Sequence, residues 1–368
     1  MLGLTANDYQ TFRAQKVFGS LDGLRCFSII AVIWQHARTG NSVWRPLTLG
    51  FLGVDLFFVI SGFLIVSLLL RERSATGHIS LKKFYIRRVL RIFPLYYGVI
   101  LCTAAFYATI GHHSAYGRRF LHDLPYYFTF TANFVPVAFT IVWSLATEEQ
   151  FYLLWPSAEK YLPRHALPVL GALVLVNQFV NLSSGKQLIS NVVGSTEWTH
   201  LEIFQTTFTP ILLGVFAAHL LHSERGYRFV RYLNCGGWGS AICLIALAAL
   251  LTIMPTDIAG APRLAAQVAM TALLISCVYQ EDHVLQPVLR FPPIRRIGQI
   301  SYGMYLFHLS VVAFGAQFLW PKYADRSFTS FLAVLLITTL AAEVSFRFFE
   351  SPILRFKRKY SVVHQTHS

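Results

Sequence analysis

The sequence predicts an all-α membrane protein, a polytopic bundle of about ten transmembrane helices with both termini in the cytoplasm. Three observations predict it. The 368 residues are 55% hydrophobic and only 13% charged, with a mean hydropathy of +0.51, more apolar surface than a soluble core of this size uses. The apolar stretches run to about 20 residues between short polar or basic loops, the length at which a helix crosses the hydrocarbon core; a membrane barrel shows segments of about ten residues with alternating hydrophobicity. Finally, 23 of the 31 lysines and arginines collect in alternate loops, as expected of cytoplasmic ones.

Residues 1–20 are mixed polar, so the first apolar run reads as an uncleaved anchor rather than a signal peptide. It covers 21–39, and spans follow at 49–70, 92–110, 143–160, 166–183, 204–222, 237–254, 263–280, 299–319 and 328–347. The stretch 124–142 is also apolar and aromatic, but Pro125 and Pro136 bracket it and Asn133 interrupts it, so it reads as interfacial or re-entrant. An eleventh span there would turn over every later loop and put the basic C-terminal tail outside. With ten, the cytoplasmic side receives Arg13, Lys16, Arg25, the run from Arg71 to Arg91, and the clusters Lys160/Arg164, Arg225/Arg228/Arg231, Arg290/Arg295/Arg296 and Arg347 to Lys359. No long linker, low-complexity tract or repeat divides the chain. A single membrane domain over 1–368 is expected, with tails at 1–20 and 348–368.

Topology and anionic lipid account for the net charge of +14 without nucleic acid. Cys26, Cys102, Cys235, Cys243 and Cys277 are scattered without a Cys-x-x-Cys pair and read as small packing residues. His112, His113, His165 and His200 lie in loops or at span ends without metal-ligand spacing, so no metal is expected. A Gly-x-Ser-x-Gly elbow, a Walker A loop and a Rossmann fingerprint are missing.

Polar groups inside spans are costly and are therefore the first functional candidates. In the first span Arg25 and His36 are eleven residues apart, three helical turns plus roughly 20° and about 16 Å of rise, so they share a face. Arg25 is expected near the cytoplasmic surface and His36 beyond the midplane. In the second span Asp55 and Ser61 stand among phenylalanines and small residues, where packing explains the phenylalanines and leaves Asp55 over. Arg88 and Arg91 stand at i, i+3 at a cytoplasmic helix entrance; paired guanidinium groups suit phosphate or pyrophosphate, and equally lipid phosphate. Glu148 and Glu149 are adjacent at the outer end of a span, pointing about 100° apart, so they cannot serve one partner equally. One of them is expected to orient an imidazole or neutralise an arginine. His308 puts a second histidine inside the ninth span.

Together these blocks resemble acyltransferase family 3, the integral membrane O-acyltransferases that modify bacterial O-antigens, exopolysaccharides, Nod factors and macrolides. Arg25 and His36 match its basic residue, ten-residue interval and histidine; Arg88 and Arg91 match its Arg-x-x-Arg motif. Phe57 to Phe63 match Phe-Phe-x-x-Ser-Gly-Phe, Trp143 to Tyr152 match Trp-Ser-Leu-x-x-Glu-x-x-Phe-Tyr, and Ser301 to His308 match Ser-Tyr-x-x-Tyr-Leu-x-His. The resemblance implies a multi-pass acyltransferase of a bacterial inner membrane that takes acyl-CoA, most often acetyl-CoA, as co-substrate, without a permanently bound cofactor. The implied acceptor is a glycan, glycolipid or other hydroxylated molecule. Under it, His36 and Glu148 are the catalytic candidates, Arg25, Arg88 and Arg91 hold the donor, and Asp22, Asp55, Ser61, Glu149 and His308 are secondary. Many relatives carry an SGNH hydrolase-like domain after the membrane core; only the core is expected here.

Two routes stay open for His36: general base on the acceptor hydroxyl, or acyl carrier with ping-pong kinetics. The rival class is a secondary transporter, which would use intramembrane His, Glu and Arg as a proton or substrate relay and show related halves.

Overall fold

The computed structural model describes residues 6–15, 17–37, 45–181, 187–188, 191–192, 208–234, 236–255, 258, 260–315 and 328–357. Among them the regular structure is all helical: α1 (Ala6–Ala14), α2 (Ser20–Ala37), a 3-10 turn (Arg45–Leu49), α3 (Leu52–Thr76), α4 (Leu81–Thr109), α5 (Ala115–His122), α6 (Leu124–Phe128), α7 (Val142–Tyr161), α8 (Ala166–Asn181), α9 (Thr209–His222), α10 (Glu224–Leu233), α11 (Gly239–Ile253), α12 (Ala261–Val278), α13 (Gln286–Leu289), α14 (Pro292–Phe314), α15 (Phe328–Ser345), a π turn (Phe346–Glu350) and α16 (Ser351–Lys357). A helix occupies each of the ten segments expected to span. Among the described residues six helices are long and apolar enough to cross a membrane, and the helices over Ala166–Val180 and Thr209–His222 are shorter and apolar. The chain is a multi-pass integral membrane protein. The loop near 184–203 and the tail beyond Lys357 fall almost wholly outside the described residues.

The described residues cluster into two compact units. Unit 1 runs to His78 and resumes over Pro210–Ser351; unit 2 is Ile79–Thr209 and the last helix from Pro352.

In unit 1, α2 packs against α3, α12, α13, α14 and α15. Small residues make this possible: a Cβ on Gly53 of α3 would run into the Ser28 carbonyl of α2, and one on Gly298 of α14 into the Asp22 backbone. Without a hydrophobic drive between helices in lipid, such close backbone approach is what holds them together. The polar N-terminal tail carries α1, which the hydropathy pattern did not announce. Arg71 of α3 donates to the carbonyls of Phe12 and Gln15 just where α1 leaves its last carbonyls unpaired, and Tyr9 donates to the His222 carbonyl. Between α12 and α13, buried His283 joins Ser20 Oγ at 2.9 Å and Ser240 Oγ at 3.1 Å, tying α2, α11 and this loop.

In unit 2, α4 starts on Ser80, whose side chain accepts from the Lys83 amide, well before the expected span at 92. Pro94 lies inside α4 and cannot donate to the Leu90 carbonyl. The segment 124–142 does not form a long helix. Asp123 accepts from Arg119 Nε at 3.2 Å and from the Ala138 amide at 2.8 Å, and the Tyr127 hydroxyl accepts from the Phe139 amide at 3.0 Å. Asn133, which interrupts the apolar run, exchanges two amide hydrogen bonds with Gln150 of α7, at 3.0 and 2.8 Å. Gln150 also donates to the carbonyl of Phe130, whose φ of +52° is left-handed, a conformation a bulky residue adopts only when its surroundings impose it.

Candidate functional site

Unit 2 brings together the arginine pair and the two glutamates. Tyr85 of α4 donates to the Leu153 carbonyl of α7 at 2.8 Å, locking the helices in register. One turn further on, the Arg88 guanidinium lies 4.2 Å from the centre of the Tyr152 ring, a cation–π stack. Tyr152 donates its hydroxyl to Glu148 Oε1 at 3.1 Å, while Glu149 interacts electrostatically with Arg88. The carboxylates thus divide as their angular separation requires. Arg91 follows one turn later, half-buried like Arg88.

Unit 1 holds the histidines. His36 sits in the last turn of α2, with Nδ1 2.9 Å from the Val32 carbonyl and 3.3 Å from Nε2 of His308 on α14. His308 is fully buried, and its Nδ1 is 2.6 Å from the Tyr305 carbonyl. Carbonyls only accept, so the hydrogen-bond network assigns a proton to both Nδ1 atoms. Neutral His308 then presents Nε2 as an acceptor, His36 Nδ1–H is shared between it and Val32, and the lone pair of His36 stands on Nε2. Edge-on packing of Trp34 against Phe331, ring centres 4.9 Å apart, fixes the neighbouring turn against α15.

At the other end of α2, Arg25 pairs with Asp22 at 3.3 Å, and Gln299 of α14 donates to Asp22 at 3.4 Å. Arg296 bonds to Gln299 at 3.4 Å and to Glu343 of α15 at 2.8 Å; Arg347 bonds to the other oxygen of Glu343 at 2.5 Å. His36 and Asp22, the partner of Arg25, thus both bond to α14.

Asp55 is buried at the start of α3 and receives Arg263 Nε at 2.9 Å, Arg263 Nη2 at 2.8 Å and Gln267 Nε2 at 3.0 Å. Arg263 and Gln267 escaped the sequence reading. Their only signal was a span that opens on Arg and carries Gln one turn later, opposite an intramembrane Asp that needed a cation. Ser61 is half-buried on α3. Among the described residues no three His, Cys, Asp or Glu side chains group as metal ligands do.

A family model described as an acyltransferase domain, that of acyltransferase family 3, matches residues 18–347 and so takes in both units. The chain belongs to acyltransferase family 3. It is 28% identical over 362 residues to the peptidoglycan O-acetyltransferase OatA of Listeria monocytogenes, covering 92% of this chain and 56% of that one. It is 27% identical over 367 residues to the putative peptidoglycan O-acetyltransferase YrhL of Bacillus subtilis, covering 94% and 56%. A putative O-acetyltransferase of Staphylococcus aureus is 29% identical over 368 residues, covering 94% and 58%. The chain thus spans a little over half the length of these curated relatives. No solved structure matches it.

Proposed function

We propose that the protein moves an acyl group, most often acetyl, from acyl-CoA on the cytoplasmic side to a hydroxyl of a glycan, glycolipid or other hydroxylated acceptor. Family membership and O-acetyltransferase relatives support acyl transfer; on this proposal the chain crosses a bacterial inner membrane ten times with both ends in the cytoplasm, on the side of the donor. The observation that carries it is the pair His36 and His308, whose hydrogen bonds leave the lone pair on His36 Nε2.

That lone pair takes the proton of the acceptor hydroxyl as its oxygen attacks the thioester carbonyl. The new C–O bond forms, the C–S bond breaks, and the proton passes from His36 to the departing CoA thiolate. Arg88 and Arg91 hold donor phosphates through charge-assisted hydrogen bonds, with Arg25 a third donor contact. Tyr152 holds the Arg88 guanidinium over its ring, and Glu148, bonded to Tyr152, and Glu149 serve that arginine. His308 orients the catalytic imidazole.

The test is release of free CoA and acylation of acceptor by purified protein given acetyl-CoA. His36→Ala is expected to abolish transfer; a variant with normal transfer overturns the assignment. Release of CoA also separates an enzyme from a transporter.

A further inference from the structure

We infer that Phe51, Arg263 and Gln267, braced by Asp55, form a sugar-binding subsite for the acceptor at the His36 end of unit 1. The inference rests on the acyl-transfer reading above and names where that reaction's acceptor is held.

Arg263 and Gln267 are one turn apart on α12 and so share a face. Both are committed to Asp55, Arg263 through two nitrogens at 2.9 and 2.8 Å and Gln267 through Nε2 at 3.0 Å. The carboxylate only accepts, so the Gln267 amide cannot turn over without setting its oxygen against Asp55. Gln267 Oε1 is therefore held as an acceptor, and among the described residues it has no hydrogen-bond donor although the residue is only 1% exposed. A buried amide oxygen left so is costly. A ligand hydroxyl donating to it removes that cost.

Charge narrows the ligand. Asp55 neutralises Arg263, so the cluster as a whole suits a neutral molecule better than a phosphate or carboxylate. The Arg263 side chain keeps 15% exposure, and the Phe51 ring centre lies 5.8 Å from its guanidinium carbon. An accepting amide oxygen, a guanidinium and a half-exposed aromatic face together match a sugar ring. One hydroxyl donates to Gln267 and accepts from Arg263, while the C–H face of the ring packs on Phe51.

Position ties the cluster to the reaction. Gly50 approaches α2 so closely that an added Cβ would stand 3.0 Å from Gln35 Cβ and would also run into the Ala31 carbonyl. Phe51 follows Gly50 and His36 follows Gln35, so the subsite and the imidazole occupy the same end of the unit.

The experiment uses the full chain in lipid nanodiscs with acetyl-CoA and tri-N-acetylchitotriose, reading free CoA, the mass of the acetylated sugar and the melting temperature. Gln267→Met keeps the side chain's length and removes the amide. The acceptor KM is expected to rise about tenfold or more, the KM for acetyl-CoA to stay within about twofold, and the sugar to raise Tm in the wild type but not in the variant. A variant with the wild-type acceptor KM and the wild-type sugar-induced Tm shift overturns the subsite. So does a lower Tm with unchanged acceptor KM, which would mark Gln267 Oε1 as the partner of a buried water. A sugar that is neither acetylated nor able to shift the wild-type Tm overturns it as well. Failure of the acyl-transfer reading looks different: the wild type then releases no CoA, and the sugar-induced Tm shift still reports on the subsite.

Discussion

His308 Nε2 lies 3.3 Å from His36 Nδ1, joining two helices from opposite ends of the sequence through a pair of imidazoles. In the proposed acyl transfer this contact serves His36 as a carboxylate serves the histidine of a hydrolase triad, fixing which ring nitrogen is basic and where it points. His308→Ala is expected to lower kcat by about 10- to 100-fold with the KM for acetyl-CoA unchanged. His308→Gln, whose amide oxygen stands near the former Nε2, is expected to recover part of the loss. Steady-state kinetics in both substrates decide it; an unchanged kcat in His308→Ala would show that His36 is oriented by something else.

Arg88 is stacked as well as charged, so its replacement by lysine is not conservative. Arg88→Ala and Arg88→Lys are both expected to raise the KM for acetyl-CoA by about tenfold or more, the equivalent of losing one charge-assisted hydrogen bond. Tyr152→Leu, which removes the ring beneath the guanidinium, is expected to do so by a smaller factor. Titration with acetyl-CoA checks all three, and full rescue by lysine would argue against a bidentate phosphate contact.

Removing one partner of a buried ion pair costs more than removing both. Asp55→Ala strands Arg263 and is expected to destabilise the protein by about 3–5 kcal/mol, whereas Asp55→Ala with Arg263→Met is expected to regain much of that. Melting temperatures of the single and double variants in nanodiscs measure the difference, and additive losses would deny the coupling.

Burial holds the His283 imidazole below its ordinary range, against the opposing pull of Asp282. The unfolded chain then binds this proton more readily than the folded one. The stabilisation from neutral His283 is complete above the unfolded value of about 6.5 and is lost as pH falls from there through the folded value. Wild-type Tm is expected to drop between about pH 7.5 and about pH 5.5, and His283→Gln is expected to shrink that drop. Equal drops in both proteins would place the acid sensitivity elsewhere.

Much of this was legible because lipid makes polar residues conspicuous. His36, Asp55 and His308 stand out inside apolar runs, and Pro125, Asn133 and Pro136 mark 124–142 as something other than a span. The rest depends on packing between distant segments. Arg263 looks like an ordinary loop cation until Asp55, 208 positions earlier, is found against it. The choice between Glu148 and Glu149 needed the position of Tyr152 and Arg88. The helix α1 lies in a stretch too polar for hydropathy to notice and is held by Arg71, a residue expected only to mark the cytoplasmic side. Nor does periodicity reveal that the chain folds as two units.

The grip of α14 on α2 at both the Asp22 and the His36 levels has a metric consequence. It holds Arg25 and His36 at a constant interval of eleven residues, about 16 Å along the axis. With Arg25 on the donor, that interval works as a ruler. An acyl group on a long arm can touch both marks at once; the same group on a stub such as an N-acetylcysteamine thioester can touch only one. The protein is thus expected to gauge its donor by length as well as by charge, and to turn over truncated thioesters poorly even at saturating concentration.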